Sequence, residues 1–475
     1  MSYIEGESRE QRILFPEALD EYIGEDNAVR FIDVYVDGLE LEELGFKQAA
    51  PKETGRPPYD PRDLLKLYIY GYLNRVRTSR MLERECGRNV ELMWLMRKLR
   101  PDFKTIADFR KENRQCFKGV FRQFVLLCRE MELLGGELVA VDGSKFKAVN
   151  SGQKNFNAKK LEQRLKEIDH KVEHYLNEME RLDQQQKPAE KLSGVELQSK
   201  IDQLKARKGK YEELLEELKR SGEKQISLTD PDSRAMALTP KGEVSYNVQT
   251  AVDHKYHLIV AQDVTNEPLD NHQLFTIADK ARQMLGQDQL QVLADMGYYN
   301  HQELKRCEEA GIITYVNQPR VSKNTARGLF GKEQFVYEAD RDSYRCPAQE
   351  RLDFRFETEE RGQRFRYYWT TVCPTCALKS QCTTDPRFHR IQRWEHEAVL
   401  ERVTQRVKAH PLILKLRQQI VEHPFGTIKF WNDQRHFLMR GLDKVKAEFS
   451  LSTLAYNIKR AMNVVGVKAL IAALG

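Results

Sequence analysis

Two apolar runs, each closed by an aspartate, constrain this chain most. Leu138-Val139-Ala140-Val141 leads into Asp142 and Gly143, and Val292-Leu293-Ala294 leads into Asp295, with Gly297 two residues on. An unbroken aliphatic run reads as a buried strand, and the glycine that follows reads as its punctuation. A carboxylate at the end of a buried strand is costly unless it is paired or bound to a metal. A third acidic context is Glu422, in Val421-Glu422-His423-Pro424-Phe425-Gly426. Pro424 predicts a bend beside it.

Around these points the pattern changes several times along the chain. Residues 1–134 read as a helical DNA-binding domain, mixed in pattern up to about 60 and all-α over 15–134. Asp60-Pro61 starts a helix whose apolar face holds Leu64, Leu65, Tyr68, Ile69, Tyr72 and Leu73, after a loop at 54–58. Gly87 stops a later helix, and Thr105 with Asp108 reads as the capping box of another. Residues 135–155 hold the first core strand. Residues 156–222 read as a helical hairpin, an antiparallel coiled coil broken at 184–188, because apolar residues from Leu161 to Leu218 recur at three- and four-residue steps. Its role is either a spacer or a DNA arm or dimer contact.

Residues 223–320 return to the core. A hairpin runs from Tyr246 to Val264, Asp270 caps a helix, the Asp295 strand follows, and Ile312 to Val316 is another buried strand. Residues 321–400 alternate like antiparallel strands and carry Cys346, Cys373, Cys376 and Cys382. The Cys-x-x-Cys spacing fits one structural zinc, against the alternative of four reduced thiols. The other cysteines, Cys86, Cys116, Cys128 and Cys307, read as small core residues. Residues 401–475 are helical and carry Glu422.

A chain of 475 residues has room for roughly three domains. Its net charge of +6 is small for that length, so local patches must carry any argument for nucleic acid. One such patch is Arg75, Arg77, Arg80, Arg84 and Arg88. Arg80, Arg84 and Arg88 share a helical face suited to phosphate and guanine, against the alternative of pairing with Glu83 and Glu85. Met1 to Arg12 is polar, without the apolar core of a secretory signal, and no run is long enough to span a membrane. A cytoplasmic chain with reduced cysteines is the expectation.

The Asp142, Asp295 and Glu422 contexts, with Asp230-Pro231-Asp232-Ser233-Arg234 and Tyr246-Asn247-Val248-Gln249-Thr250-Ala251-Val252-Asp253, resemble the DDE transposases of bacterial insertion sequences. The resemblance runs from about residue 15 to 465 and is to the branch with a helical N-terminal domain. It implies an α/β chain: a ribonuclease H-like mixed-sheet catalytic core, the all-α N-terminal domain, the coiled-coil insertion and the β-rich cysteine insertion. It also implies that Asp142, Asp295 and Glu422 hold two magnesium or manganese ions for DNA cleavage and strand transfer. The partners implied are double-stranded DNA, as element ends with terminal inverted repeats and as target, and a second copy in the DNA complex, with nucleoid association when bound. Lys429, six residues beyond Glu422, would meet a DNA phosphate. The family pattern has an Arg and a Tyr where this chain has Gln418 and Lys415, and Arg417 stands one residue from the Arg position. Asp230 and Asp232 lie near the metals or cap a turn around Pro231. Two further readings share parts of this machinery: a metal-dependent endonuclease that cuts without joining, and a non-catalytic DNA-binding protein.

Overall fold

The computed structural model describes residues 18–50, 58–185, 191–236, 243–319, 324–360 and 362–475. Met1–Arg12, most of the expected loop at 54–58 and the centre of the expected break at 184–188 lie outside them.

The central sheet is built from β1 (Leu138–Lys147), β2 (Val244–Asp253), β3 (Ile259–Thr265), β4 (Leu290–Ala294) and β5 (Ile312–Val316), in the order β3-β2-β1-β4-β5. β2 runs antiparallel to both β1 and β3, whereas β1, β4 and β5 are mutually parallel. A parallel pair needs a crossover, and the helix His301–Glu309 supplies it between β4 and β5. The sheet is thus a mixed one, as the alternation of strand and helix patterns predicts. A two-residue strand, Arg234–Ala235, also pairs with β2.

The N-terminal helices form where side chains cap them. Asn27, Asp60, Thr78, Asn89 and Asp102 each accept a backbone N–H of the helix that follows, worth about 1 kcal/mol apiece. The capping expectation at Thr105 is corrected. Asp102 starts that helix, accepting from the N–H groups of Lys104 and Thr105 and from the Thr105 hydroxyl. The helix Leu442–Val465 is buried on nearly every side. It packs against β3 and the helices Pro61–Leu73 and Phe117–Glu130. Asn457 bonds both the N–H (2.9 Å) and the C=O (2.8 Å) of Ile259, so a side chain satisfies an edge that would otherwise pair with another chain.

Two helices, Ala158–Gln185 and Lys191–Ser221, form the hairpin. Lys208 meets Asp169 at 2.6 Å, and Leu218 packs with Leu161 and Phe156, so the arms run antiparallel. At its root, Asn155–Phe156 pairs with Ile226–Ser227. A second sheet has five antiparallel strands between Val336 and Trp394, with its own core of Phe335, Tyr344, Leu352, Tyr368 and Ile391. Among the described residues, no helix is long and apolar enough to cross a membrane.

Candidate active site

Asp142 does not end its strand. β1 continues past Gly143 to Lys147, still paired with β2. The glycine is needed for a different reason. A Cβ there would lie 2.5 Å from Gln249 Nε2, 2.7 Å from Asp270 Oδ1 and 3.0 Å from the Tyr298 hydroxyl. Only a bare backbone lets those polar groups reach the strand beside Asp142.

Asp142 and Asp295 are neighbours across the sheet. Ala140 pairs with Leu293 in the parallel ladder, so each aspartate lies two residues beyond a paired position. Asp295 caps a short turn by accepting the Gly297 N–H at 2.8 Å. From the helix Ile413–Gly426, Arg417 places one guanidinium nitrogen 3.7 Å from Asp142 and another 3.5 Å from Asp295. The Arg417 side chain is 15% exposed. A single cation therefore bridges the two acids.

Burial pushes the Asp142 carboxyl up to about 6. Arg417 and the Gly143 N–H pull it down, while the charges of Asp295 and Asp270 add to the rise. The net upward direction means that ionised Asp142 costs the fold stability. The folded state holds this proton more tightly than the unfolded chain, so wild-type stability falls as pH rises from about 4 to about 6 and is level above. In the presence of EDTA, Asp142→Asn is expected to be more stable than wild type at pH 8 by on the order of 2 kcal/mol. The gap should close as pH is lowered toward 4. Thermal unfolding across this range checks it, and equal stability at pH 8 would contradict the inferred cost.

Asp270, expected as a helix cap, is part of the site instead. Its helix begins at Leu274, and Gln273 occupies the cap position. The Asp270 carboxylate accepts from Lys145 Nζ (3.2 Å), Asn247 Nδ2 (2.7 Å) and Gln249 Nε2 (2.7 Å), and the Tyr298 hydroxyl donates to Gln249 Oε1. Lys429 reaches the same strand, donating to Ser144 Oγ at 2.6 Å and to the Lys145 carbonyl at 2.9 Å. Burial beside Lys145 draws the Lys429 ammonium down to about 8, against the pull of Asp142.

Glu422 lies on the same helix as Arg417, five residues on. It is exposed, and Gln418 Nε2 donates to its carboxylate at 2.7 Å. The helix runs through Pro424 without the expected break. It ends at Gly426 and continues as a π-helical turn, Thr427–Trp431. Among the described residues, no three His, Cys, Asp or Glu side chains are arranged to hold a metal. Asp142 and Asp295 still suit a hard divalent cation by donor chemistry, with the Arg417 guanidinium as the stand-in positive charge.

A family model described as a transposase domain matches residues 17–112, and one described as a transposase DDE domain matches residues 345–462. The two matches support a DDE transposase of an insertion sequence. The DDE match carries Arg417, Glu422 and Lys429, while Asp142 and Asp295 lie outside both matched segments. No curated protein and no solved structure matches the chain.

Elsewhere in the chain, Asp230 and Asp232 are structural caps. Asp230 accepts from the Tyr246 hydroxyl and the Gly441 N–H, and Asp232 from the Leu442 N–H at the start of the buried helix. The arginine stripe divides. Arg75, Arg80 and Arg84 are exposed. Arg77 is buried, donating to the carbonyls of His436 (3.1 Å) and Asp433 (2.9 Å) and lying 3.6 Å from Glu448. It is therefore withdrawn from any surface for DNA. The helix ends at Cys86, so Arg88 lies past it and not on a helical face with Arg80 and Arg84; Glu85 takes Arg88 and stands 3.7 Å from Arg84, so part of the stripe pairs locally.

All eight cysteines are free. Cys86, Cys116, Cys128 and Cys307 are buried, as expected. Cys346, Cys373, Cys376 and Cys382 line one cavity together with His389, whose Nδ1 is 3.1 Å from Cys382 Sγ. The sequence reading missed His389.

Proposed function

We propose that this transposase cuts DNA at element ends carrying terminal inverted repeats and joins them to a target. The observation that carries the reading is the pair Asp142 and Asp295, on neighbouring parallel strands and clasping one cation between them. The strand order β3-β2-β1-β4-β5, with β2 antiparallel to its neighbours and β1, β4 and β5 parallel, supports a ribonuclease H-like core assembled from residues 135–155, 223–320 and 401–475. In this reading residues 1–134 bind DNA, while residues 156–222 and 321–400 are insertions.

Asp142 and Asp295 would hold magnesium, with Glu422 joining them once DNA is bound. Bound metal would supply charge stabilisation of the attacking and leaving oxygens. Arg417 keeps the acids neutralised until then, and afterwards is placed to contact the DNA backbone. Asp270 and Gln249 orient β1 around Gly143, and Lys429 fixes the strand from its other side. The acting form is a homodimer on two ends, in the cytoplasm at the nucleoid.

The test is incubation of the full chain with Mg²⁺, labelled element ends and a supercoiled target. Joined products establish the transposase. Cut ends without joining would favour the endonuclease reading, and binding without cutting the non-catalytic one.

Arg80 and Arg84 carry the N-terminal part of this reading. Neutralising both to Gln is expected to weaken end binding and lower its salt slope by about one for each DNA phosphate left without its arginine. An unchanged slope would move the DNA surface elsewhere, first to the hairpin. For the cysteine cluster, elemental analysis should find about one zinc per chain, absent from Cys376→Ser. A metal-free preparation that still folds would refute it.

A further inference from the structure

The segment after the Glu422 helix has three unusual properties. First, it turns as a π-helix over Thr427–Trp431, a form often found at functional sites. Second, it exposes two adjacent large aromatics, Phe430 at 66% and Trp431 at 67%, with the exposed Arg435 guanidinium 5.7 Å over the Phe430 ring. Third, Asn432 and Gln434 are buried, yet none of their four side-chain polar atoms has a hydrogen-bond partner. Unsatisfied buried amides are costly, and each needs a reason.

The segment is tied to the strand of the acid pair. Lys429 anchors it to Ser144, two residues from Asp142 on β1. The Arg435 carbonyl accepts from the Lys147 N–H, and the Phe437 N–H donates to the Lys147 carbonyl. The aromatics are thus tied to the strand that bears the acid pair. Along Trp431 to His436, exposed and buried residues alternate up to Arg435, and the exposed ones carry both cation and ring. Asp433 pairs with Arg435 at 3.4 Å and offsets part of the charge. Rings flanked by cations suit nucleobases, because every base has a π-face to stack and a phosphate to neutralise.

We propose that Phe430 and Trp431 form a stacking platform for unpaired bases of the DNA strand at the cut, with Arg435 on the adjoining phosphate. This rests on the transposase reading above.

The full chain is titrated with a fluorescein-labelled duplex bearing a six-nucleotide single-stranded tail, and with the same duplex blunt. Wild type is expected to prefer the tailed probe. Trp431→Ala should weaken tailed binding about five- to hundredfold, with blunt binding unchanged, and Trp431→Phe should restore most of it. Phe430→Ala is the second variant, and unchanged melting confirms that both fold. Tailed affinity unaffected by either variant overturns the platform. So does an equal loss on both probes, or a dimer that becomes monomeric while tail preference persists, which would make the patch a protein interface. Cleavage is measured in parallel. Wild type that cuts and joins but ignores the tail removes the platform alone. Tail preference without any cutting removes the transposase reading alone.

Discussion

Asp295→Asn should bind element ends as wild type does and cut them at least about a thousandfold more slowly. The substitution keeps the side-chain shape, so the turn it caps, with the Gly297 N–H bonded to Oδ1, can persist. What it loses is the charge that faces Arg417 at 3.5 Å and that a divalent cation would need. Asp295 follows β4 and is not on the helix that carries Arg80 and Arg84, so the arginine contacts to DNA keep their side chains. A gel-shift titration beside a cleavage time course separates the two activities. Parallel loss of both in a folded variant would give Asp295 a role beyond catalysis.

Arg77→Ala should destabilise the protein by about 3–5 kcal/mol without touching the DNA surface. Glu448 is 1% exposed and accepts from the N–H groups of Leu438 and Met439 at 2.9–3.0 Å. Arg77 is its ion-pair partner at 3.6 Å. Removing the guanidinium leaves a buried carboxylate uncompensated and also frees the carbonyls of Asp433 and His436. Thermal unfolding should show the loss. Arg77→Ala that melts like wild type but binds DNA poorly would return this residue to the DNA surface.

Arg77 also shows where sequence reasoning stops. Its neighbours Arg75, Arg80 and Arg84 are exposed as a charged turn and helix should be, and nothing local distinguishes Arg77 from them. Its burial depends on Glu448, hundreds of positions away. The strands and the helical hairpin were legible because periodicity is a local signal. The adjacency of Asp142 and Asp295 was an expectation from matching contexts, and the parallel register of β1 and β4 places them side by side. Asp270 was misread because an aspartate ahead of a helix usually caps it. A better signal was available in β2, where Asn247 and Gln249 recur at the two-residue period of a wholly buried strand. Buried amides at that spacing demand a polar partner on the same face, and Asp270 is that partner. Glu422 depends on how one helix turns, which no spacing sets.

The hairpin at 158–221 has a consequence for the order in which this chain can assemble. β1 must find β2, with Asp142 opposite Thr250. The root of the hairpin joins Phe156 to Ile226 beforehand, through pairings that form within one helical pair. Once that root closes, the effective loop between the two strands shrinks from about 110 positions to about 40, lowering the entropic cost of closing the sheet. Helical pairs form quickly, whereas distant strand pairing is slow. The excursion that separates the first two strands in the chain therefore acts during folding as a clasp. Cutting it out and leaving a flexible linker of equal length should slow refolding even where the finished core is unchanged.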